Sequence, residues 1–123
     1  MIKIRRLLKS FKYAAKGLLK VFHEEQNLKL QVTIGLLVII LAWALNVNRF
    51  EWCLLILVMA LVILTEVINS AIERVTDVLK PRINGYVKEI KDIMATAVML
   101  ASLAAVIIGL VILGPHIIKL VWR

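Results

Sequence analysis

The sequence predicts an all-α membrane protein, with an N-terminal amphipathic surface helix and three transmembrane helices. Three observations carry that prediction. The 123 residues are 62% hydrophobic with a mean hydropathy of +0.92, more apolar surface than a soluble domain of this size could bury. The apolar residues fall in long runs without the alternation of barrel strands. Two prolines and five glycines leave few breaks in regular structure. The length suits one domain over residues 1–123, with no room for an appended soluble one.

The first element covers residues 1–27 with its connection. Ile4, Leu7, Leu8, Phe11, Ala15, Leu18, Leu19 and Phe22 recur at three- and four-residue steps, and lysines and arginines fill most positions between them. This is the pattern of a basic helix lying in the surface of an anionic leaflet. Lysines interrupt it throughout and no small-residue cleavage site follows, so it does not read as a cleavable signal. The first span is expected at about 30–47 and the second at about 52–71. Between them "NVNRFEW" reads as a polar connection, with Trp43 and Trp52 as interface anchors. In the polar segment 73–92, Pro81 and the Asn84-Gly85 pair predict a helix extension, a turn and a new helix start. The third span is expected at about 93–113, ended by Gly114-Pro115 and anchored by Trp122.

The net charge of +8 is localised. Thirteen of the sixteen Lys/Arg lie in 1–29 and 74–91, while the 46–51 connection has only Arg49. That distribution puts the N-terminus and the 73–92 connection in the cytoplasm and the C-terminus outside. It argues for a membrane partner and against nucleic acid. Cys53 has no disulfide partner and no zinc-type spacing, and reads as a small hydrophobe. His23 and His116 lack ligand spacing and read as interfacial or solvent-facing. No Walker-type phosphate loop is present.

The segment "TEVINSAIERVTD", residues 65–77, ends the second span with acids and an amide in series. At roughly 100° per residue, Glu66, Asn69, Glu73 and Asp77 share one stripe under a third of the helix circumference. A carboxylate within a span costs at least ~2.5 kcal/mol at mid-membrane, less near its end. Carboxylates so aligned also repel one another. A hard divalent cation such as Mg²⁺ suits them, since it takes oxygen ligands and shares them with phosphate. Lys91-Asp92 at the start of the third span could contact phosphate, and "HEEQN" at 23–27 meets the same membrane surface. The plainer alternatives stay open for these: connection charges at Glu24 and Glu25, a snorkelling Lys91, a cap at Asp92.

"EVINSAIERVTD" closely resembles the E-x-x-N-[ST]-A-I-E-x-x-x-D signature of the small bacterial membrane lipid kinases, the diacylglycerol kinase and undecaprenol kinase family. "KGL" at 16–18, "EEQN" at 24–27, "RFEW" at 49–52 and "KDIMATAV" at 91–98 match the family's order and spacing, so the resemblance covers nearly the whole chain. It implies a homotrimer with active sites shared between neighbours. The implied reaction moves the γ-phosphate of a nucleoside triphosphate, ATP or possibly GTP, onto a lipid hydroxyl at the cytoplasmic surface. By position, Glu66 resembles the catalytic base with Asn69 supporting it. Glu25 and Glu73 resemble the carboxylates that hold Mg²⁺ with the nucleotide phosphates. Lys91 resembles the phosphate-binding lysine with Asp92 beside it, and Tyr13 an aromatic near the nucleotide base. Arg6 and Lys9 resemble basic residues near the nucleotide and the lipid substrate, and Asp77 closes the motif as a supporting acid.

The chain departs from the family at several places. Arg82-Ile83-Asn84 stands where many relatives have Glu-Tyr-His against the nucleotide base, which leaves ATP against GTP open. Gln31 stands where some diacylglycerol kinases carry a further glutamate, and Ala14 and Ala95 replace serines of that subgroup. With "RFEW", these tilt the acceptor toward undecaprenol over diacylglycerol. Two other classes compete with the kinase. A small ion-coupled transporter would explain an intramembrane Glu66, but the polar groups gather at one surface and do not cross the bilayer. A non-catalytic scaffold would not need every matching acid, amide and lysine.

Overall fold

The structure, a computed structural model, describes residues 1–79 and 84–123. It is helical: α1 (Ile4–Glu24), α2 (Gln26–Ala44), α3 (Arg49–Leu79) and α4 (Asn84–Val121). Three of these, α2, α3 and α4, are long and apolar enough to cross a membrane. The expected break at Pro81 and the Arg82-Ile83 pair lie outside the described residues. Asn84 and Gly85 form the first turn of α4 and are not a loop.

Helix α1 buries none of its residues. It gives way to α2 at a single extended residue, Glu25, with φ −98° and ψ 113°. No proline or glycine forces that break. The Glu25 N–H still donates to the Val21 carbonyl, and its own carbonyl accepts from the Lys29 N–H. The carboxylate caps neither helix; it accepts a hydrogen bond from Ser70 of α3. The bend thus sits at the residue tied to the neighbouring helix.

The α2–α3 connection is shorter than the sequence predicts. Helix α2 stops at Ala44 because Asn46 takes the left-handed conformation, φ 53°. The Asn46 N–H then donates to the Trp43 carbonyl and the Val47 N–H to the Ala42 carbonyl, each at 3.3 Å. Those bonds satisfy carbonyls that a helix end leaves open, while buried Val47 and Ala42 join the core there. Helix α3 starts at Arg49, ahead of the expected 52. Asn48 explains the difference: its Oδ1 accepts the Glu51 N–H at 2.8 Å and its Nδ2 donates to Glu51 Oε1 at 2.8 Å, an N-terminal cap inside the supposed loop. "RFEW" is therefore the first turn of a helix.

Helix α4 also corrects the sequence reading, since it runs through Gly114-Pro115 to Val121. Proline removes one backbone donor, but ending a helix in lipid would leave several polar groups unsatisfied. His116, read as interfacial or solvent-facing, is partly buried and lies 2.8 Å from Glu51 Oε2, joining the end of α4 to the start of α3.

The most extensive packing is α3 against α4. The core lies near the α2–α3 connection, around Ala42, Val47, Leu55, Ile112 and Leu113. Elsewhere the outer faces of α2, α3 and α4 expose Leu, Ile, Val and Met side chains, and even the most apolar stretch of each span is at most 22% buried. Faces of that kind need lipid or protein against them, and the chain is a membrane protein.

Candidate active site

Helix α3 has 31 residues, roughly 46 Å of axis against a hydrocarbon core of about 30 Å. It is long enough to carry one face from lipid into water. Its buried positions Leu55, Val58, Val62, Glu66 and Ser70 follow at three- and four-residue steps. The buried stripe is thus apolar up to Val62 and polar from Glu66 on. Along it Glu66 is 1% exposed, Asn69 and Glu73 are half-buried, and Asp77 is exposed.

A buried carboxylate needs a donor, and α2 supplies one: Gln31 Nε2 lies 3.3 Å from Glu66 Oε2. The other end of that amide, Gln31 Oε1, is buried with no hydrogen-bond partner among the described residues. The carboxylates of Glu25 and Glu73 lie close enough to Glu66 to act on it electrostatically. Glu66 is thus within electrostatic reach of one acid at the α1–α2 junction and one on its own helix.

The same cluster holds a cation the sequence reading did not single out. Arg74 forms an ion pair with Glu24, donates from Nη1 to the Ser70 hydroxyl and to the Ser70 carbonyl at 3.1 Å, and stands 3.9 Å from Glu25 Oε1. Ser70 Oγ in turn donates to Glu25 Oε1 at 3.0 Å. Ser70 is four residues beyond Glu66, and Arg74 four beyond Ser70. Helical phase alone could have found both. Gln31 comes from another helix, and no spacing in the sequence pairs it with Glu66.

Lys91 of α4 is paired with Asp77 Oδ1 at 2.8 Å, and Glu73 is also within its electrostatic reach. Asp92 is exposed and lines an open cleft of about 340 Å³ with Gly85, Lys88, Glu89, Ile93 and Thr96. Arg6, Lys9 and Tyr13 are exposed on α1, and their side chains are not brought onto the acidic cluster. No group of three or more His, Cys, Asp or Glu side chains among the described residues could by itself hold a metal. Glu25 and Glu73 are the two carboxylates whose charge reaches Glu66 among the described residues.

The chain matches the pattern of the prokaryotic diacylglycerol kinases over residues 12–113. It is 35% identical over 115 residues to a diacylglycerol kinase of Synechocystis, covering 93% of this chain and 66% of that one, so it spans just under two thirds of that relative's length. It is 27% identical over 114 residues to the undecaprenol kinase of Bacillus subtilis, covering 93% of each chain. It is 32% identical over 111 residues to the diacylglycerol kinase of Escherichia coli strain K12, covering 90% of this chain and 91% of that one. A three-span helical chain with such matches along its length is a membrane lipid kinase. It belongs to the prokaryotic diacylglycerol kinase family.

Proposed function

We propose that the chain transfers the γ-phosphate of ATP to the hydroxyl of undecaprenol, with Mg²⁺, at the cytoplasmic face of the bacterial inner membrane. The observation that carries this reading is the buried Glu66–Gln31 pair at the point where the α3 stripe turns from apolar to polar. A lipid hydroxyl arriving along the apolar face meets a carboxylate there that can accept its proton. Gln31 Oε1 offers an acceptor that nothing else in the described chain uses. As the lipid oxygen attacks the γ-phosphorus, Glu66 takes the hydroxyl proton. The bond from phosphorus to the β–γ bridging oxygen breaks, and ADP leaves.

The donor set fits magnesium. Mg²⁺ is commonly held by one or two carboxylates with phosphates and waters, and Glu25 and Glu73 supply two. Bound there with the nucleotide, it would neutralise phosphate charge. Lys91 exchanges Asp77 for a phosphate oxygen, Asp92 lies beside it, and Asn69 orients the lipid hydroxyl next to Glu66. Arg6, Lys9 and Tyr13 contribute to nucleotide and lipid only if α1 lies over a site, its own or a neighbour's. We place α1 in the anionic leaflet surface and the chain in a homotrimer, because α1 buries none of its apolar residues and the spans expose most of theirs.

Diacylglycerol is the second reading of the acceptor. The Synechocystis and E. coli diacylglycerol kinases are identical to this chain at more of the aligned positions, 35% and 32%, than the B. subtilis undecaprenol kinase is, 27%. Against it, Gln31 is neutral where some diacylglycerol kinases place a glutamate. The test is purified protein in nanodiscs with γ-labelled ATP, Mg²⁺ and either undecaprenol or diacylglycerol, repeated with GTP. Label should enter undecaprenol faster, and excess EDTA should stop transfer. Label entering diacylglycerol alone would reverse the acceptor assignment, and label in neither lipid would sink the proposal.

A further inference from the structure

Arg74 occupies one of the variable positions between Glu73 and Asp77, so the signature that identifies the family does not ask for it. Its side chain nevertheless reaches two sequence-distant acids and one hydroxyl. The bond directions matter. Guanidinium is a donor only, so Arg74 Nη1 must use a lone pair of Ser70 Oγ. That leaves the Ser70 hydroxyl proton to be donated, and Glu25 Oε1 receives it. Glu24 holds the far end of the guanidinium through Nη2. The direct approach of Arg74 to Glu25, 3.9 Å, is too long for a hydrogen bond. Arg74 therefore acts on Glu25 through the serine. Glu25 Oε1 is engaged, and Oε2 takes no hydrogen bond or ion pair from the described residues.

We propose that Arg74, through Ser70 and anchored by Glu24, is a positioning residue that fixes the Glu25 carboxylate with one oxygen held and the other presented to a divalent cation. The proposal rests on the lipid kinase reading of Glu25. It explains why the one non-helical residue between α1 and α2 is tied to α3. A carboxylate on a free hinge would have to be ordered each time a metal arrived; this one is ordered beforehand. The Arg74–Glu24 pair itself is half-exposed on both sides, a setting in which ion pairs add little to stability. Orientation, rather than strength, is what the contact supplies.

The test is Mn²⁺ binding by electron paramagnetic resonance, in nanodiscs, with a non-hydrolysable ATP analogue and no turnover. Thermal unfolding is measured on the same samples without metal. Arg74→Gln and Ser70→Ala should each weaken Mn²⁺ binding by about tenfold, the scale of losses when a ligand's supporting hydrogen bond is removed. Arg74→Lys, which keeps the charge and a donor, should recover part of it. The charge swap Glu24→Arg with Arg74→Glu separates orientation from stability. It remakes the ion pair, but a carboxylate at 74 would accept the Ser70 proton and draw it from Glu25. Thermal stability should stay near wild type and Mn²⁺ affinity should stay about tenfold weaker. Wild-type Mn²⁺ affinity in the swap, or wild-type affinity in Arg74→Gln alongside loss in Glu25→Gln, overturns the positioning role while leaving the kinase reading intact. A wild-type protein that binds no Mn²⁺ with the analogue overturns both.

Discussion

Glu66 is 1% exposed, and among the described residues its side-chain donor is Gln31. That pairing makes two substitutions separable. Glu66→Gln keeps the volume and removes the proton acceptor; lipid phosphorylation should fall by at least about 100-fold, while nucleotide binding and thermal stability stay near wild type. Gln31→Leu keeps the acid and removes its donor. It leaves a buried carboxylate unsatisfied, so it should cost about 1–3 kcal/mol in stability as well as activity. Thermal unfolding beside the labelled-ATP assay reads both. Helical phase made the Glu66, Asn69, Glu73 and Asp77 stripe legible from the chain alone. Gln31 was visible only as an odd residue in a family comparison, because nothing in its spacing says which helix it faces.

At the scale of elements, the caps around the α2–α3 connection make sharp demands on side chains. Asn48→Ala removes the acceptor for the Glu51 N–H and should destabilise the protein by about 1 kcal/mol. Asn46→Val forces a β-branched residue into left-handed backbone, at about 1–2 kcal/mol, whereas Asn46→Gly should be close to neutral. Chemical unfolding in mild detergent would rank the three. The spans themselves were legible because twenty apolar residues in a row admit few alternatives. Their ends were not. Polar residues in "NVNRFEW" look like a loop, yet Asn46, Asn48 and Glu51 are there to close one helix and open the next. Pro115 looks like a stop, yet lipid penalises an open helix end more than one missing hydrogen bond.

At the scale of the whole molecule, the helices alternate so that the α2–α3 connection and the C-terminus share one end and the acidic cluster lies toward the other. Lys/Arg asymmetry predicts that the cluster end is cytoplasmic. In a Cys53→Ser background, Asn46→Cys should react with an impermeant maleimide in intact cells, whereas Lys12→Cys and Lys88→Cys should react only after lysis. The reverse pattern would invert the topology and move the site away from cellular ATP. The spans bury so little of their surface that further copies of the chain can cover part of it. Cross-linking in native membranes should give a ladder ending at three chains.

The sequence by itself determined that this is a helical membrane protein, roughly where it crosses, and that acids collect on one face of α3. Those properties follow from hydropathy and a period of 3.6, which are written along the chain. Tertiary structure decided which groups meet. Gln31 reaches Glu66 across 35 positions, Ser70 reaches Glu25 across 45 and Arg74 reaches Glu24 across 50. It also decided that α1 breaks at Glu25. The physical reason is common to all four: each depends on the distance between two helices, and no periodicity within one helix contains that distance.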